Sequence, residues 1–302
     1  MHGIVRVFKW AAVGVLSLFA LAIGVYAYAV LSFDAEALPE NYGEVDAVLY
    51  AGEGRNQPLV VGFGGAEGGN TFAARRFGDV RARFIEQGYA FLAVGYFGGQ
   101  STPSELDRIS LEGIHAAIVE AAEDPRVDAD CIAVIGGSKG AELALLLASR
   151  YKEIKAVAAA SPGSAVFPAH TIAMSTASFA SNGEELPFVP VPWSAVPALI
   201  KGDLRAAFEA MLADEEAVER AAIPVERING PILLSSATRD QFWPALKMSE
   251  AIVERLNRSD FRFPVQHVVT EGDHEASLQR WDVIEAFLAE HILGQNEAGC
   301  PR

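Results

Sequence analysis

The sequence has little of several things, and each shortage narrows its function before any motif is considered. Only two cysteines occur among 302 residues, Cys131 and Cys300, too few for a disulfide framework or for the paired spacing of a zinc site. Cys131 falls in an apolar, strand-like run and reads as a buried free thiol. Cys300 lies in a tail that reads as frayed, and a bridge between the two is the lesser alternative. Positive charge is also scarce. Lys and Arg number 24 against 39 Asp and Glu, a formal net charge of −15, which speaks against a broad nucleic-acid-binding surface. No internal repeat or low-complexity tract is visible, and with 51% hydrophobic residues disorder as the main state is excluded.

Acidic residues are missing altogether from the first 33 positions. Arg6 and Lys9 are the only charged residues before Asp34, so residues 34–302 carry 22 basic and all 39 acidic residues, a formal charge of −17. Between the two charge regimes runs Trp10 to Phe33, 24 residues with only Ser17 and Ser32 as polar side chains. At about 1.5 Å per residue this run is long enough to span a hydrocarbon core of about 30 Å. The expectation is a single-pass transmembrane anchor over 10–33, with a cytoplasmic stub over 1–9 and the remainder on the far side of the membrane. Two alternatives stay open. One is a signal segment cleaved after Ala29, leaving a secreted or periplasmic protein; the other is a core helix.

After an acidic linker over 34–44, apolar runs bounded by Gly, Pro or Asp alternate with segments of helical length. Leu59–Phe63, Ala90–Tyr96, Cys131–Ile135, Ile154–Ala160, Ile232–Ser236 and Val265–Thr270 read as buried strands. Phe72–Gln87, Leu106–Ala122, Ala141–Arg150, Trp243–Leu256 and Ala276–Ile292 read as helices. This alternation predicts an α/β domain over 45–293, a mostly parallel sheet with helices on both faces. One stretch, about 164–222, is rich in Pro and aromatic residues and interrupts the rhythm. Insertions of that size often form a lid or a binding wall, and Phe167, Phe179, Phe188 and Trp193 are its candidates for lining an apolar acyl pocket.

The strongest local signal is Gly136-Gly137-Ser138-Lys139-Gly140, a G-x-S-x-G between an apolar strand and an apolar helix. A serine on a sharp strand-to-helix turn needs small neighbours so that its hydroxyl projects while the backbone folds closely around it. Its bland alternative is a helix N-cap. A serine nucleophile needs a base, and the base needs an acid to fix its tautomer. Of the six histidines, His274 stands in a turn after the last strand and before the last helix, where the chain order Ser, acid, His places the base. Asp240, at the end of a strand running into a loop, is the favoured acid. Asp273 is the rival, poorly placed to reach the ring of its own neighbour. The glycine loop Gly62–Gly69 follows the first strong strand, and N–H groups of Gly65 or Ala66 together with that of Lys139 are candidate oxyanion donors. Phosphate binding is a weaker reading of the same loop, since no Gly-Lys-Ser/Thr follows and the spacing misses G-x-G-x-x-G. No metal or organic cofactor is implied.

Several of these motifs, in this order, resemble one family: the C-terminal catalytic domain shared by acyl-CoA thioesterases and bile acid-CoA:amino acid N-acyltransferases, within the α/β-hydrolase superfamily. The resemblance runs from about Pro58 to Ile292. It includes the glycine loop, Ala93–Gly98, Leu106–Glu112, the elbow with Lys139-Gly140-Ala141-Glu142, and Asp240–Pro244. It implies an α/β-hydrolase fold with Ser138 as nucleophile, Asp240 as acid and His274 as base, acting on a small acyl ester or thioester. The family uses Cys or Ser as nucleophile, with Cys associated with transfer to an amino acid, so Ser138 favours water as acceptor. Transfer to an amine is the alternative, and a non-catalytic, membrane-tethered binding module is the alternative of another class. Animal members carry an N-terminal β-sandwich, whereas here a hydrophobic segment and a short linker precede the hydrolase region.

Overall fold

The strands that carry the most β-branched and alanine-rich sequence lie at the centre of one sheet, because only there are both faces covered. The structure, a computed structural model, describes residues 23–293 together with Trp10, Gly14, Ser17, Ala20, Leu21 and Cys300. The strands in chain order are β1 (Asp46–Tyr50), β2 (Gln57–Phe63), β3 (Ala90–Gly95), β4 (Ile109–Ser110), β5 (Val127–Gly137), β6 (Ile154–Ala160), β7 (Phe179–Ser181), β8 (Glu184–Glu185), β9 (Ile232–Ala237) and β10 (Val265–Thr270). Seven of them form a sheet in the order β1-β3-β2-β5-β6-β9-β10. All neighbours are parallel except β1, which pairs antiparallel with β3 at one edge. Every residue of β2, β3 and β9 is buried, while the edge strands β1 and β10 keep exposed positions.

Alternate side chains of these strands enter two separate apolar layers, as the pleat requires. Leu59, Val61, Leu92, Val134 and Val157 face one side; Val60, Phe91, Ala133, Ala156 and Leu233 face the other. The helices are α1 (Gly78–Glu86), α2 (Leu111–Ala122), α3 (Lys139–Arg150), α4 (Val196–Lys201), α5 (Leu204–Met211), α6 (Glu215–Ala221), α7 (Ala245–Arg258), α8 (His274–Leu278) and α9 (Trp281–Leu288). Helices α2 and α3 cover the first layer, with α3 buried from Lys139 to Ser149; α1 and α9 cover the second. An all-round apolar helix is stable only when enclosed in this way.

Several boundaries differ from expectation for local reasons. Helix α2 begins at Leu111, five residues after its expected start, because Ile109 and Ser110 pair with β7 and the Ser110 hydroxyl then caps the helix by accepting from the Gly113 N–H at 3.1 Å. The expected helix over 276–292 is two, α8 and α9, followed by a π turn at Ala289–Leu293. Between β6 and β9 the interrupting stretch folds as β7, β8 and the short helices α4 to α6. Asp203 and Asp214 cap α5 and α6, and Ala207, Met211, Ala217 and Ala221 pack with Phe167, Val189 and Trp243 as a third apolar cluster.

Two expectations are corrected. Cys131, 1% exposed on β5, is joined to Cys300 by a disulfide with Cα atoms 5.4 Å apart, so it is not a free thiol. Apolar position and thiol spacing 169 residues apart gave no local sign of the bond. The expected anchor over 10–33 is not supported: among the described residues no helix is long and apolar enough to cross a membrane. Residues 23–31 are helical with Ile23, Val25, Tyr26, Tyr28 and Leu31 exposed, and much of the remainder of that run lies outside the described residues.

Candidate active site

Strand β5 ends at Gly137, and the chain turns through Ser138 into α3 with Ser138 at φ 55°, ψ −121°. That left-handed conformation is strained for a residue with a side chain and holds the hydroxyl clear of the turn. The flanking glycines are required by close approach. A Cβ on Gly136 would lie 2.1 Å from the Gly140 carbonyl oxygen, and one on Gly140 would lie 2.3 Å from the Gly64 carbonyl oxygen. The second contact also locks the glycine loop after β2 against the elbow.

Asp240 sits in the loop after β9, and His274 is the first residue of α8. The structure joins them: His274 Nδ1 lies 2.6 Å from Asp240 Oδ2, with both side chains almost fully buried. Asp240 Oδ1 accepts from the main-chain N–H groups of Phe242 and Trp243 at 2.9 and 3.2 Å, and Oδ2 also accepts from the Ser161 hydroxyl at 3.1 Å. Burial alone would push the Asp240 carboxyl up, but the bond and charge of His274 and the two N–H groups outweigh it and hold it below the usual carboxylate range. Asp273 is occupied elsewhere, as the N-cap of α8, accepting from Ala276 N. Ser138 and His274 share the wall of one cavity, and no hydrogen bond joins them in this resting arrangement. Such bonds often tighten only when substrate arrives.

The proposed oxyanion donors meet at the same place. A Cβ on Gly65 would lie 3.3 Å from Ser138 Cβ, so the glycine loop lies against Ser138. The loop is held from behind by Tyr96 at the end of β3, whose hydroxyl donates to the Gly64 carbonyl at 2.7 Å. Burial pushes the Tyr96 phenol well above its ordinary value, which keeps it a neutral donor. Lys139 contributes its main chain to the helix N-terminus beside Ser138. Its ammonium is bound to Glu142 at 2.8 Å in a buried pair, and burial pushes the Lys139 ammonium down and the Glu142 carboxyl up.

The cavity has a volume of about 970 Å³, and its wall includes Gly65, Ala66, Ser138, Lys139 and His274. None of Phe167, Phe179, Phe188 and Trp193 is on it. Phe167 lies behind the wall against Phe208 and Trp243; Phe179 is in the main core and Phe188 packs on that core; Trp193 is 90% exposed. The aromatic wall comes instead from two groups distant in sequence. Phe72, Phe77 and Trp281 pack together on one side; Phe208 and Trp243 pack on the other. Phe242 stands edge-on to His274 at 5.1 Å between ring centres. Sequence reasoning missed Tyr96 and Ser161 as well. Both stand at or just past the C-terminal end of a parallel strand, where sites gather in this kind of sheet, and that position was their one legible signal.

Of the other described histidines, His115 stacks on Tyr151 at 3.7 Å, the Ser236 hydroxyl lies 2.7 Å from His267 Nε2, and His170 is on the wall of the same cavity as Ser138 and His274, where burial pushes its imidazole down to about 4. Among the described residues no cluster of His, Cys, Asp and Glu suits a metal ion.

Comparison with known proteins bears on the family and the fold. The sequence profile of the family described as BAAT / acyl-CoA thioester hydrolase C terminal matches residues 109–278. The mouse (Mus musculus) peroxisomal succinyl-coenzyme A thioesterase is 26% identical over 225 residues, covering 72% of this chain and 49% of that protein. Mouse acyl-coenzyme A thioesterase 6 is 31% identical over 118 residues, covering 38% of this chain and 26% of that protein. The chain thus spans about half the length, or less, of these relatives. Among solved structures, Pyrococcus horikoshii acylaminoacyl peptidase aligns with a TM-score of 0.57 at 15% identity, covering 84% of this chain and 40% of that one. A Mycobacterium tuberculosis puromycin-hydrolyzing peptidase aligns at 0.56 and 18%, covering 85% and 38%. These structural likenesses speak to the fold alone, a mostly parallel α/β-hydrolase sheet. On the profile match across more than half of its length, the chain belongs to the BAAT / acyl-CoA thioester hydrolase C-terminal family.

Proposed function

We propose that the protein is a serine hydrolase that cleaves an acyl ester or thioester through an acyl-enzyme. The observation that carries this reading is the buried Asp240–His274 pair opening onto the same cavity as a serine held at φ 55° on a strand-to-helix elbow. Ser138 attacks the carbonyl carbon while His274 takes its proton; Asp240, kept ionised, fixes the ring so that Nδ1 carries the hydrogen and the other nitrogen is free to act as base. Negative charge developing on the carbonyl oxygen is met by the N–H groups of Lys139 and of Gly65 or Ala66, which donate to no protein acceptor among the described residues. His274 then protonates the leaving group and activates water to release the acid. Mixing with an activated ester is expected to leave the acyl group covalently on Ser138; turnover with no such adduct would overturn the reading.

The same reading places the catalytic body in an oxidising compartment, because a disulfide persists there and is reduced in the cytosol. The Cys131–Cys300 bond supports this. Thiol alkylation of intact cells before lysis checks it. Both cysteines are expected to resist the reagent until a reductant is added after denaturation; modification of both without reductant would contradict it.

A further inference from the structure

We infer that His170 is a specificity-determining residue, whose ring donates a hydrogen bond to the amide of a thioester with a leaving thiol of the N-acylcysteamine kind. The inference rests on the serine-hydrolase reading and names the part of the leaving group that this site recognises.

His170 lines the cavity that holds Ser138 and His274, yet the Asp240–His274 pair makes no use of it. It lies in the excursion, between β6 and β7, where the main chain closes on itself. The His170 N–H donates to the Leu106 carbonyl at 2.9 Å, the Ala169 N–H donates to the Thr176 carbonyl at 2.8 Å, and Pro168 bridges Ala177. The Thr176 hydroxyl then donates to Asp107 Oδ1 at 2.7 Å, and Asp107 is itself held in a buried pair with Arg108. The loop that presents His170 is therefore tied to the Leu106–Arg108 segment by main-chain and threonine bonds that do not involve the imidazole. A binding group held in this way is positioned before the ligand arrives.

Among the described residues neither ring nitrogen of His170 is bonded to a protein group. Other polar side chains on the wall are engaged: the Thr71 hydroxyl donates to Glu67 at 2.7 Å, the Lys139 ammonium is paired with Glu142 at 2.8 Å, and Thr171 Oγ1 accepts from the Met174 N–H at 3.1 Å. The excursion's share of the wall is otherwise largely apolar, with Pro168, Met174, Leu204 and Phe208 on it. An acyl chain laid over His170 would strip its water and leave the ring unpaired, which costs the desolvation of that group. A polar part of the substrate avoids that cost. The family is described by thioester hydrolysis, and in a fatty acyl thioester the polar atoms beyond the scissile carbonyl belong to the leaving thiol. In N-acylcysteamine thiols an amide follows the sulfur by two carbons. The ring suits a neutral partner: enclosure by the wall, with the Lys139 ammonium nearby, keeps the imidazole uncharged at neutral pH, one nitrogen carrying a hydrogen and the other a lone pair. The ring N–H then donates to the amide carbonyl.

The test compares two octanoyl thioesters that differ only in that amide, those of N-acetylcysteamine and of its apolar isostere 4-methylpentane-1-thiol. Both are measured on the full chain and on His170→Phe and His170→Gln, with a fluorophosphonate probe counting active Ser138 in each preparation. The parent is expected to prefer the amide thioester in kcat/KM. His170→Phe keeps a ring but no donor, and is expected to cut that preference about tenfold, through KM rather than kcat. His170→Gln restores an N–H donor and is expected to bring the preference back to within about threefold of the parent. If Ser138 labels and the preference is the same in the parent and in His170→Phe, the inference fails and the serine-hydrolase reading stands. If Ser138 of the parent does not label and neither thioester is cleaved, that reading fails and the inference with it.

Discussion

Ser138→Ala is expected to lower kcat for a good substrate about 10⁵-fold, leaving only the residual rate that an oxyanion site and binding supply. The size of the effect follows from the arrangement. In the proposed mechanism the hydroxyl is the one group that carries the acyl chain between the two half-reactions, and removing it leaves His274 with no nucleophile to activate. The fold should tolerate the change: alanine keeps the side-chain volume low at φ 55°, and the glycine contacts at Gly136 and Gly140 are untouched. A circular dichroism melt superimposable on that of the parent protein, measured beside the steady-state rate, separates loss of chemistry from loss of structure. A variant that retains a tenth of the parent rate would show that Ser138 is not the nucleophile.

Asp240→Asn is expected to lower kcat about 10⁴-fold through the tautomer of His274. The amide oxygen can keep the bonds from the Phe242 and Trp243 N–H groups that Oδ1 now accepts. The amide NH₂ then occupies the Oδ2 position, where it can only donate. Facing it, His274 Nδ1 must accept, so the ring hydrogen moves to the nitrogen that should act as base. The Ser161 hydroxyl, which now donates to Oδ2 at 3.1 Å and sits 2.6 Å from the Ser277 hydroxyl, has to reverse its role. Steady-state kinetics on an activated ester checks the prediction. Asp273→Asn serves as the control and is expected to change kcat by less than about threefold, because Asp273 caps α8 and does not touch the ring. Equal losses in the two variants would reopen the choice of acid.

The residues of the candidate triad were far more legible in the sequence than the walls of the cavity. Gly136-Gly137-Ser138-Lys139-Gly140 is readable because close backbone approach constrains consecutive residues, and the strand and helix on either side are apolar enough to identify. Asp240 and His274 are readable because the ends of parallel strands β9 and β10 lie side by side, so chain order predicts spatial order. The cavity lining has no such local constraint. Phe72 and Phe77 lie about two hundred positions from Trp281 and meet it only when α9 closes over the second face of the sheet. Within the excursion, composition cannot distinguish Phe208, which faces the cavity, from Phe167 one layer behind it or from Trp193, which faces out. The antiparallel edge strand β1 was missed for a related reason: Asp46–Tyr50 is short and has no buried position. The disulfide was discounted because its partners are buried or terminal and far apart in the chain, and only the folded sheet brings them together.

The central claim is that Ser138 carries the acyl group covalently, and pre-steady-state kinetics of p-nitrophenyl octanoate with peptide mapping by mass spectrometry tests it most directly. The account predicts a burst of p-nitrophenol close to one per active site, an octanoyl adduct confined to the peptide containing Ser138, and loss of both in Ser138→Ala. Linear release of product from the first turnover with full activity in Ser138→Ala, or an adduct on a residue other than Ser138, would contradict it.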